Sequence, residues 1–303
     1  MVFKTSVPYR IGLIGGGTDL PYFADEHGAE VINASFKAYT HCEILKNQSP
    51  QISIETHDYQ KSVKISQLPE IALLQANEFR ITLAVLNYFY KQLQDLNCGL
   101  SIKTFSDFPP QTGLGGSSAH LGAVLKALLH LLELDWDNAR ILSTAFQIER
   151  RILNIFGGFQ DFYPCVFEGA HYLSKDVSSE VQHHQLDSEF LNSLGLDFYL
   201  IGNSRGSQNI TADLPSTATL QEQKKIARQA AEAWKSQDSQ LFKSLLKQSW
   251  SMKGINTLSL PPSVFAAKTC GLSKAMTVLA VETTHVPEFI ENSKDAYQKI
   301  DWH

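Results

Sequence analysis

The segment that joins a predicted strand to a predicted helix reads Pro109-Pro110-Gln111-Thr112-Gly113-Leu114-Gly115-Gly116-Ser117-Ser118-Ala119. Its glycines let several backbone N–H groups converge on one point, and the start of a helix adds partial positive charge. The segment is therefore suited to bind a phosphate group. It is not a Walker loop, because no Gly-Lys-Ser/Thr follows, and it lacks the third glycine of the dinucleotide-binding motif. A plain strand-to-helix turn with a serine cap is the alternative.

Hydrophobic periodicity predicts the elements on both sides of this loop. Upstream it predicts strands at 6–14, 30–45 and 100–105, a hairpin over 51–56 and 62–65, and a helix over 77–96. Downstream it predicts helices over 117–134 and 141–155, a strand at 198–201, helices over 220–234 and 239–250, a strand at 276–281 and a terminal helix. We expect Gly157-Gly158 to end the second of these helices and a new element to start at Gln160-Asp161. Because helices and strands are mixed in both halves, the fold class is α+β.

The size and composition of the chain limit its class. Its 303 residues exceed the usual single domain of roughly 150, and the polar stretch 174–188 marks the predicted seam between two domains. Apolar residues at 43% and charged residues at 19% exclude a disordered chain, a collagen or a coiled-coil rod. With 26 Lys and Arg against 31 Asp and Glu, the net charge of −5 does not favour nucleic acid or an anionic membrane as partner.

Neither a secretion signal nor a membrane span is expected. The first residues are too polar for a secretion signal. The sequence also has no uncharged window of about 20 residues, the length that is needed to span a bilayer. The four cysteines lie far apart with no CxxC pair, which argues against a zinc knuckle and for reduced thiols. We therefore expect a cytoplasmic protein that acts on small molecules.

Four charged residues stand at positions where chemistry is expected. Glu149 and Asp161 lie on either side of the Gly157-Gly158 break, so they belong to different elements and are able to converge. A hard cation needs carboxylate oxygens, and phosphoryl transfer needs a positioned acceptor for a hydroxyl proton. Each residue also permits a simpler interpretation: a surface charge for Glu149, a helix cap for Asp161, an ion pair for Arg10 and a turn carboxylate for Asp19.

Taken together, these segments resemble the GHMP kinases, the family of galactokinase, homoserine kinase and mevalonate kinase. The first motif runs from Pro8-Tyr9-Arg10-Ile11 to Gly15-Gly16-Gly17-Thr18-Asp19, the second is the phosphate loop from Pro110 to Ala119, and the third segment is Gly157-Gly158-Phe159-Gln160-Asp161. The run that ends at Pro21 and the pattern Gly202-Asn203-Ser204-Arg205-Gly206-Ser207 are similar to the branch typified by D-glycero-D-manno-heptose 7-phosphate kinase.

This resemblance implies a fold and an activity. The implied fold is a ribosomal-protein-S5-domain-2-like ATP-binding domain over 1–185, followed by a shortened ferredoxin-like α+β domain over 186–303. The implied activity is transfer of the γ-phosphoryl group of Mg-ATP to a sugar hydroxyl. The accepting group in this branch is the anomeric O1 of D-glycero-D-manno-heptose 7-phosphate or a related sugar. ATP, Mg²⁺ and a sugar or sugar phosphate are thus the expected ligands.

The resemblance also assigns roles to individual residues. Asp161 orients or deprotonates the attacking hydroxyl, and Arg10 offsets charge beside it; Ser118 and Glu149 bind Mg²⁺. The residues implied in ATP binding are Pro110, Gly113, Leu114, Gly115, Gly116, Ser117, Ser118 and Ala119. Those implied in substrate binding are Gly16, Gly17, Thr18, Asp19 and Arg205, the last as an anchor for a distal phosphate.

One motif departs from the family pattern. The glycine-rich turn expected in the C-terminal domain is represented by Cys270-Gly271-Leu272-Ser273-Lys274-Ala275, which keeps one glycine, and the helix before it is expected to be missing. Side chains in place of glycines restrict the approach of the backbone to a ligand. A catalytically weak nucleotide- or sugar-binding protein and an enzyme with a mevalonate-like acceptor therefore remain alternatives. The oligomeric state, a homodimer included, is left open by the sequence.

Overall fold

Two β-sheets, one of seven strands and one of four, organise the chain. The computed structural model describes residues 2–66, 68, 78–96, 98–202, 214–253, 260–271, 276–292 and 297–303. Helices pack on both sheets, so the predicted α+β class is confirmed. Among the helices of these described ranges, none combines the length and the apolar character that a bilayer crossing requires.

The larger sheet is built around one long strand. Its strands are β1 (Val2–Ile14), β2 (Ala29–Asn47), β3 (Ile52–Thr56), β4 (Lys61–Ile65), β5 (Gly99–Ser106), β6 (Ala170–Lys175) and β7 (Gln182–Leu186). Strand β2 pairs antiparallel with β1, with β5 and with β6, whereas β3 and β5 run parallel. A register shift between Pro8 and Tyr9 sends Val7 and Tyr9 into different hydrophobic clusters. This bulge re-aims the side chains that follow it, Arg10 included.

Nine α-helices lie in the described ranges. They are α1 (Pro21–His27), α2 (Arg80–Tyr88), α3 (Tyr90–Gln94), α4 (Gly116–Leu131), α5 (Asn138–Phe146), α6 (Glu189–Ser193), α7 (Thr217–Lys235), α8 (Ser239–Ser251) and α9 (Val286–Asn292). A π-helix (Gln147–Ile152) continues α5, and 3-10 helices span Gln160–Cys165 and Thr283–His285. The apolar face of α4, with Leu121 and Leu128, packs on Ile44 and Ile102 of the larger sheet in one cluster. This burial holds the N-terminal end of α4 at a set place above β1 and β2.

The smaller sheet has the strand order β11, β8, β10, β9, with every pair antiparallel. Its strands are β8 (Leu196–Gly202), β9 (Val264–Thr269), β10 (Met276–Glu282) and β11 (Tyr297–Lys299). With α7 and α8 after β8, and α9 after β10, the chain order is βαββαβ, which is the ferredoxin-like arrangement. The predicted ferredoxin-like C-terminal region is thereby confirmed.

Helices α7 and α8 lie between the two sheets. Trp234 and Trp250 share a hydrophobic cluster with Ile11 of β1 and with Phe198 of β8. The indole Nε1 of Trp250 also donates to the carbonyl oxygen of Leu13 at 2.7 Å, a bond between α8 and the larger sheet. Since a buried indole N–H needs an acceptor, this bond sets where the end of α8 meets the glycine turn after β1.

Several elements differ from the expectations. The helix predicted over 77–96 is divided into α2 and α3 at Phe89. The helical segment after α5 ends at Ile152, before the two glycines, and Asn154 follows with a φ of 50°. The polar stretch 174–188 contains β7, which belongs to the larger sheet, so the predicted boundary at 185/186 falls inside that strand and stays a prediction. Helix α1 and strands β6, β9 and β11 were not predicted.

Candidate active site

The phosphate loop ends at the N-terminus of α4, which begins at Gly116. Gly113 and Gly115 have φ values of 80° and 78°, a left-handed conformation that glycine adopts without strain. Gly115 is the N-cap, and no side chain in the described chain accepts a hydrogen bond from the first turn. The serine cap of the alternative interpretation is therefore not formed, because the Ser118 hydroxyl bonds to Glu149 instead. Uncapped N–H groups at the start of a 16-residue helix are suited to bind an anion.

The remaining loop residues divide into contact positions and buried ones. Pro110, Gly116 and Ser117 are partly accessible, so they stay candidates to contact a nucleotide. Leu114 and Ala119 have buried side chains, at 0% and 2% exposure, so only their backbones are available to a ligand. The Ser117 hydroxyl has no hydrogen-bond partner among the described residues although it is buried. Such an unpaired buried donor is an argument for a ligand at this position.

Arg10 connects the loop to Asp161. Its guanidinium donates from Nη1 to the carbonyl oxygen of Gly113 at 2.9 Å and from Nε to Asp161 Oδ1 at 2.8 Å, with a second bond from Nη2 to the same carboxylate oxygen. The Arg10 main-chain N–H donates to Leu114. A Cβ on Gly115 would lie 3.2 Å from Arg10 Cγ, which explains a glycine there. The buried Arg10 thus holds the phosphate loop and the segment that carries Asp161 at a fixed distance from each other.

Asp161 lies on the 3-10 helix that begins at Gln160. A second guanidinium, that of Arg150, lies 3.4 Å from Asp161 Oδ2, and it also donates to the carbonyl oxygen of Gly158 at 3.0 Å. Arg150 was not predicted as a site residue, since in the sequence it stands only as a neighbour of Glu149. Because Oδ1 is occupied by Arg10, the weakly bonded Oδ2 is the oxygen available to an incoming hydroxyl.

Glu149 is turned inward by the π-helix. Leu153 N–H bonds to the carbonyl oxygen of Ile148, five residues back, and this wider turn buries Ile148 and Glu149 together. Glu149 has 0% exposure, and Ser118 Oγ donates to its Oε2 at 2.5 Å. Arg150 Nη1 lies 3.3 Å from the same oxygen. The interpretation of Glu149 as a surface helix charge is therefore excluded.

The pair of Ser118 and Glu149 fits a hard divalent cation. Glu149 Oε1 is buried and has no hydrogen-bond partner among the described residues, which leaves one carboxylate oxygen without a donor. Oxygen ligands of this kind are those that Mg²⁺ takes, with its other positions filled by water and phosphate oxygens. The described residues contain no group of three or more His, Cys, Asp or Glu side chains placed to hold a metal ion. A cation here would therefore depend on phosphate ligands as well.

The glycine turn after β1 uses its polar side chains internally. Asp19, at 3% exposure, accepts hydrogen bonds from the N–H of Gly17 at 3.1 Å, from the N–H of Gln160 at 3.2 Å and from Gln160 Nε2 at 2.9 Å. Thr18 Oγ1 donates to Gly15 and Glu30. Burial, followed by the nearby Asp161 charge, raises the pKa of Asp19. Among the predicted substrate residues, Thr18 and Asp19 hold the turn in place, while Gly16 and Gly17 present backbone.

Two lysines from the C-terminal half reach this turn, and neither was predicted. A Cβ on Gly16 would lie 2.9 Å from Lys253 Nζ. Lys268 Nζ donates to the carbonyl oxygen of Gly12 and lies 5.5 Å from the centre of the Trp250 ring. Burial lowers the pKa of both amines, that of Lys268 well below its usual range. No short motif surrounds either lysine, so sequence offered no signal for them.

The degenerate glycine turn of the C-terminal region, which begins at Cys270-Gly271, contacts the phosphate loop through Gly271. Gly271, with a φ of 56°, packs so closely that a Cβ there would lie 2.7 Å from both Cα and O of Gly113. Cys270 N–H bonds to Met276 and closes the base of the turn. Lys274, Ala275 and Arg205 lie outside the described residues. In place of the helix expected to be missing, strand β9 leads into this turn.

We predict that Gly271→Ala weakens nucleotide binding about 10-fold or more, because a loss of about 1–2 kcal/mol is typical when a left-handed glycine is replaced in a tight contact. The measurement is the Kd of ATP by titration calorimetry. Gly195→Ala is a matched control, since Gly195 also has a positive φ of 64° but no atom within 4 Å of the added Cβ. Equal affinities of Gly271→Ala and Gly195→Ala would show that the turn does not support the loop.

Comparison with known proteins places these motifs in a family context. Residues 80–169 match the model for the GHMP kinases N terminal domain. Over 170 residues, covering 56% of this chain and 50% of the relative, the sequence is 31% identical to D-glycero-alpha-D-manno-heptose 7-phosphate kinase of Campylobacter jejuni. Over 247 residues, covering 70% of this chain and 25% of the relative, it is 26% identical to L-fucokinase/L-fucose-1-P guanylyltransferase of Bacteroides fragilis.

A solved structure extends the similarity to the whole fold. The crystal structure of a D-glycero-D-manno-heptose 1-phosphate kinase from Bacteroides thetaiotaomicron superposes with a TM-score of 0.81 and 25% identity, covering 100% of this chain and 97% of that one. The alignments with the two curated relatives span half or less of their lengths. The resemblance inferred from the motifs, and the fold that it implies, are confirmed.

Proposed function

We propose that this chain, which carries a GHMP kinase N-terminal domain over residues 80–169, is an ATP-dependent sugar kinase. It transfers the γ-phosphoryl group of Mg-ATP to a sugar hydroxyl, the anomeric O1 of D-glycero-D-manno-heptose 7-phosphate or a related sugar. The heptose kinases found by comparison support this acceptor, and the fucokinases support a sugar more generally.

The observation that carries the proposal is the double attachment of Arg10. One guanidinium bonds both to the Gly113 carbonyl of the anion-binding loop and to the Asp161 carboxylate. A proton acceptor is thereby held beside a phosphate site, which is the juxtaposition that phosphoryl transfer requires. A binding protein without chemistry has no need of a carboxylate between two guanidinium groups at this place.

The proposed reaction uses Asp161 at one defined atom. The acceptor hydroxyl faces Asp161 Oδ2, which orients it and takes its proton. As the hydroxyl oxygen bonds to the γ-phosphorus, the bond from that phosphorus to the bridging oxygen breaks and ADP leaves with the electron pair. The first-turn N–H groups of α4 and the Arg10 guanidinium stabilise the phosphate charge during this transfer.

Ser118 and Glu149 are the residues that would hold Mg²⁺. When bound, the cation neutralises phosphate charge and fixes the nucleotide oxygens. The protein's own contribution is the buried hydrogen bond from Ser118 Oγ to Glu149 Oε2, which orients the carboxylate and leaves Oε1 without a donor among the described residues.

The test is coupled ADP release with Mg-ATP against a panel of sugars and sugar phosphates that includes heptose 7-phosphate and fucose. We expect turnover with one class of acceptor and none without acceptor. Mevalonate is included as a non-sugar alcohol, and turnover with it alone would replace the sugar by a mevalonate-like acceptor. ATP binding without turnover of any acceptor would favour a nucleotide-binding protein, the alternative that the loss of glycines from the turn at 270–275 suggests.

A further inference from the structure

Lys253 lies beside the glycine turn, on the side of the site where the acceptor is expected to bind. It follows the end of α8, and its N–H bonds to the carbonyl oxygen of Trp250 at 3.1 Å. Trp250 is itself bonded to Leu13 at the end of β1. These two bonds bring the lysine to the glycine turn, where its Nζ would lie 2.9 Å from a Cβ on Gly16. A glycine at position 16 therefore provides the space that the ammonium group occupies.

The ammonium group of Lys253 is left unpaired by the residues that the structure describes. In the part of the chain that the structure describes, it has no hydrogen bond and no ion pair. Asp19 is the carboxylate whose charge favours the ammonium, but it already accepts hydrogen bonds from three N–H groups. The Asp161 carboxylate is paired with Arg10 and Arg150. The side chain is only partly exposed, so water does not fully solvate the charge either.

Positive charge is in excess around this turn. Lys268 and Arg10 both interact unfavourably with the Lys253 charge, and Asp19 is the carboxylate among the described residues that favours it. Lys268 has a structural role, since it donates to Gly12 and packs over Trp250. Among the described residues around this turn, Lys253 is then the cation that remains for a ligand. An anionic ligand would place a negative charge beside the ammonium. It would thereby raise the pKa of Lys253, which burial lowers.

We propose that Lys253 binds a phosphoryl oxygen of the bound substrates. A compact ammonium with three donors suits a phosphate as a point charge. Two phosphoryl groups have this chemistry: the acceptor's own phosphate and the γ-phosphoryl group in transfer. The inference rests on the proposed function for the identity of these ligands, but the contact itself is measurable without turnover.

The first experiment follows modification of Lys253 by an amine-selective reagent, read by mass spectrometry. Inorganic phosphate, ATP and heptose 7-phosphate are added separately to the wild-type protein. We expect at least one of them to slow the modification of Lys253 and none to slow that of Lys247, an exposed lysine of α8. If phosphate or ATP protects Lys253 but no acceptor is turned over, the proposed kinase activity fails while the phosphoryl contact stands.

The second experiment identifies the source of the phosphoryl group with Lys253→Met and the control Lys247→Met. For an acceptor phosphate, the affinity for heptose 7-phosphate falls about 10- to 100-fold while that for the unphosphorylated sugar is unchanged. For the γ-phosphoryl group, kcat falls by a similar factor with both affinities unchanged. Gly16→Ala, which displaces the ammonium, should reproduce a smaller part of the same effect. The proposal is overturned if no ligand protects Lys253 and Lys253→Met behaves like Lys247→Met.

Discussion

Asp161→Asn should lower kcat by about 10³-fold and leave the affinity for ATP nearly unchanged, because it removes the proton acceptor but keeps the shape of the side chain. The amide oxygen of the asparagine can still accept a hydrogen bond from Arg10 Nε, as Oδ1 of Asp161 does, so the loop geometry is retained. The measurement is coupled ADP release with the best acceptor, beside calorimetric titration of ATP.

Asp197, on the smaller sheet, provides a matched control for this substitution. Asp197 is also an aspartate in an ion pair, with Lys299 at 3.1 Å, and it lies on β8. Asp197→Asn should retain the wild-type kcat. If Asp161→Asn kept more than about a tenth of kcat, general-base catalysis by this residue would be refuted, since such catalysis contributes at least about 10²-fold. A thermal melt of each variant separates loss of chemistry from loss of fold.

Glu149→Gln should raise the Mg²⁺ concentration for half-maximal activity about 10- to 100-fold, the range found when the ligand sphere of a metal is disturbed. Glutamine has the same size and can still accept the hydrogen bond from Ser118, so the substitution removes charge rather than packing. Titration of Mn²⁺ into the ATP complex by electron paramagnetic resonance gives a second readout that does not depend on turnover.

Glu43→Gln is the control for this effect. Glu43 pairs with Lys4 on the outer part of the larger sheet and is partly exposed, so its replacement should leave the Mg²⁺ requirement unchanged. Ser118→Ala should shift the requirement in the same direction as Glu149→Gln, and the double variant by less than the sum, because the two residues share one hydrogen bond. An unchanged Mn²⁺ affinity in Glu149→Gln would exclude the carboxylate as a ligand.

The strands and the phosphate loop were predictable because their signals are local. Alternation of apolar residues indicated the hairpin of β3 and β4, and the left-handed conformations of Gly113 and Gly115 follow from glycine itself. The two C-terminal helices α7 and α8 were found within three residues of their ends, since their apolar faces repeat at helical spacing.

The misses have identifiable physical causes. The π-helix was predicted as a continuous helix, because one wider turn barely changes the spacing of apolar residues, yet it decides that Glu149 is buried. Strand β9 lies in the smaller sheet through pairing with β10, a partner later in the chain. The serine cap that the alternative interpretation placed at the start of α4 is not formed, because the Ser118 hydroxyl bonds to the distant Glu149.

Local conformational preference thus accounts for the α+β class, the glycine turns and the identity of the motif residues. It does not account for their convergence, which needs contacts between distant segments: Arg10 and Asp161 are 151 residues apart, and Trp250 and Leu13 are 237 apart. Such contacts depend on burial and on charge pairing across packed elements, quantities that exist only once the chain has folded. For that reason Arg150 and Lys253, which stand in no motif, became candidates for the site through the structure alone.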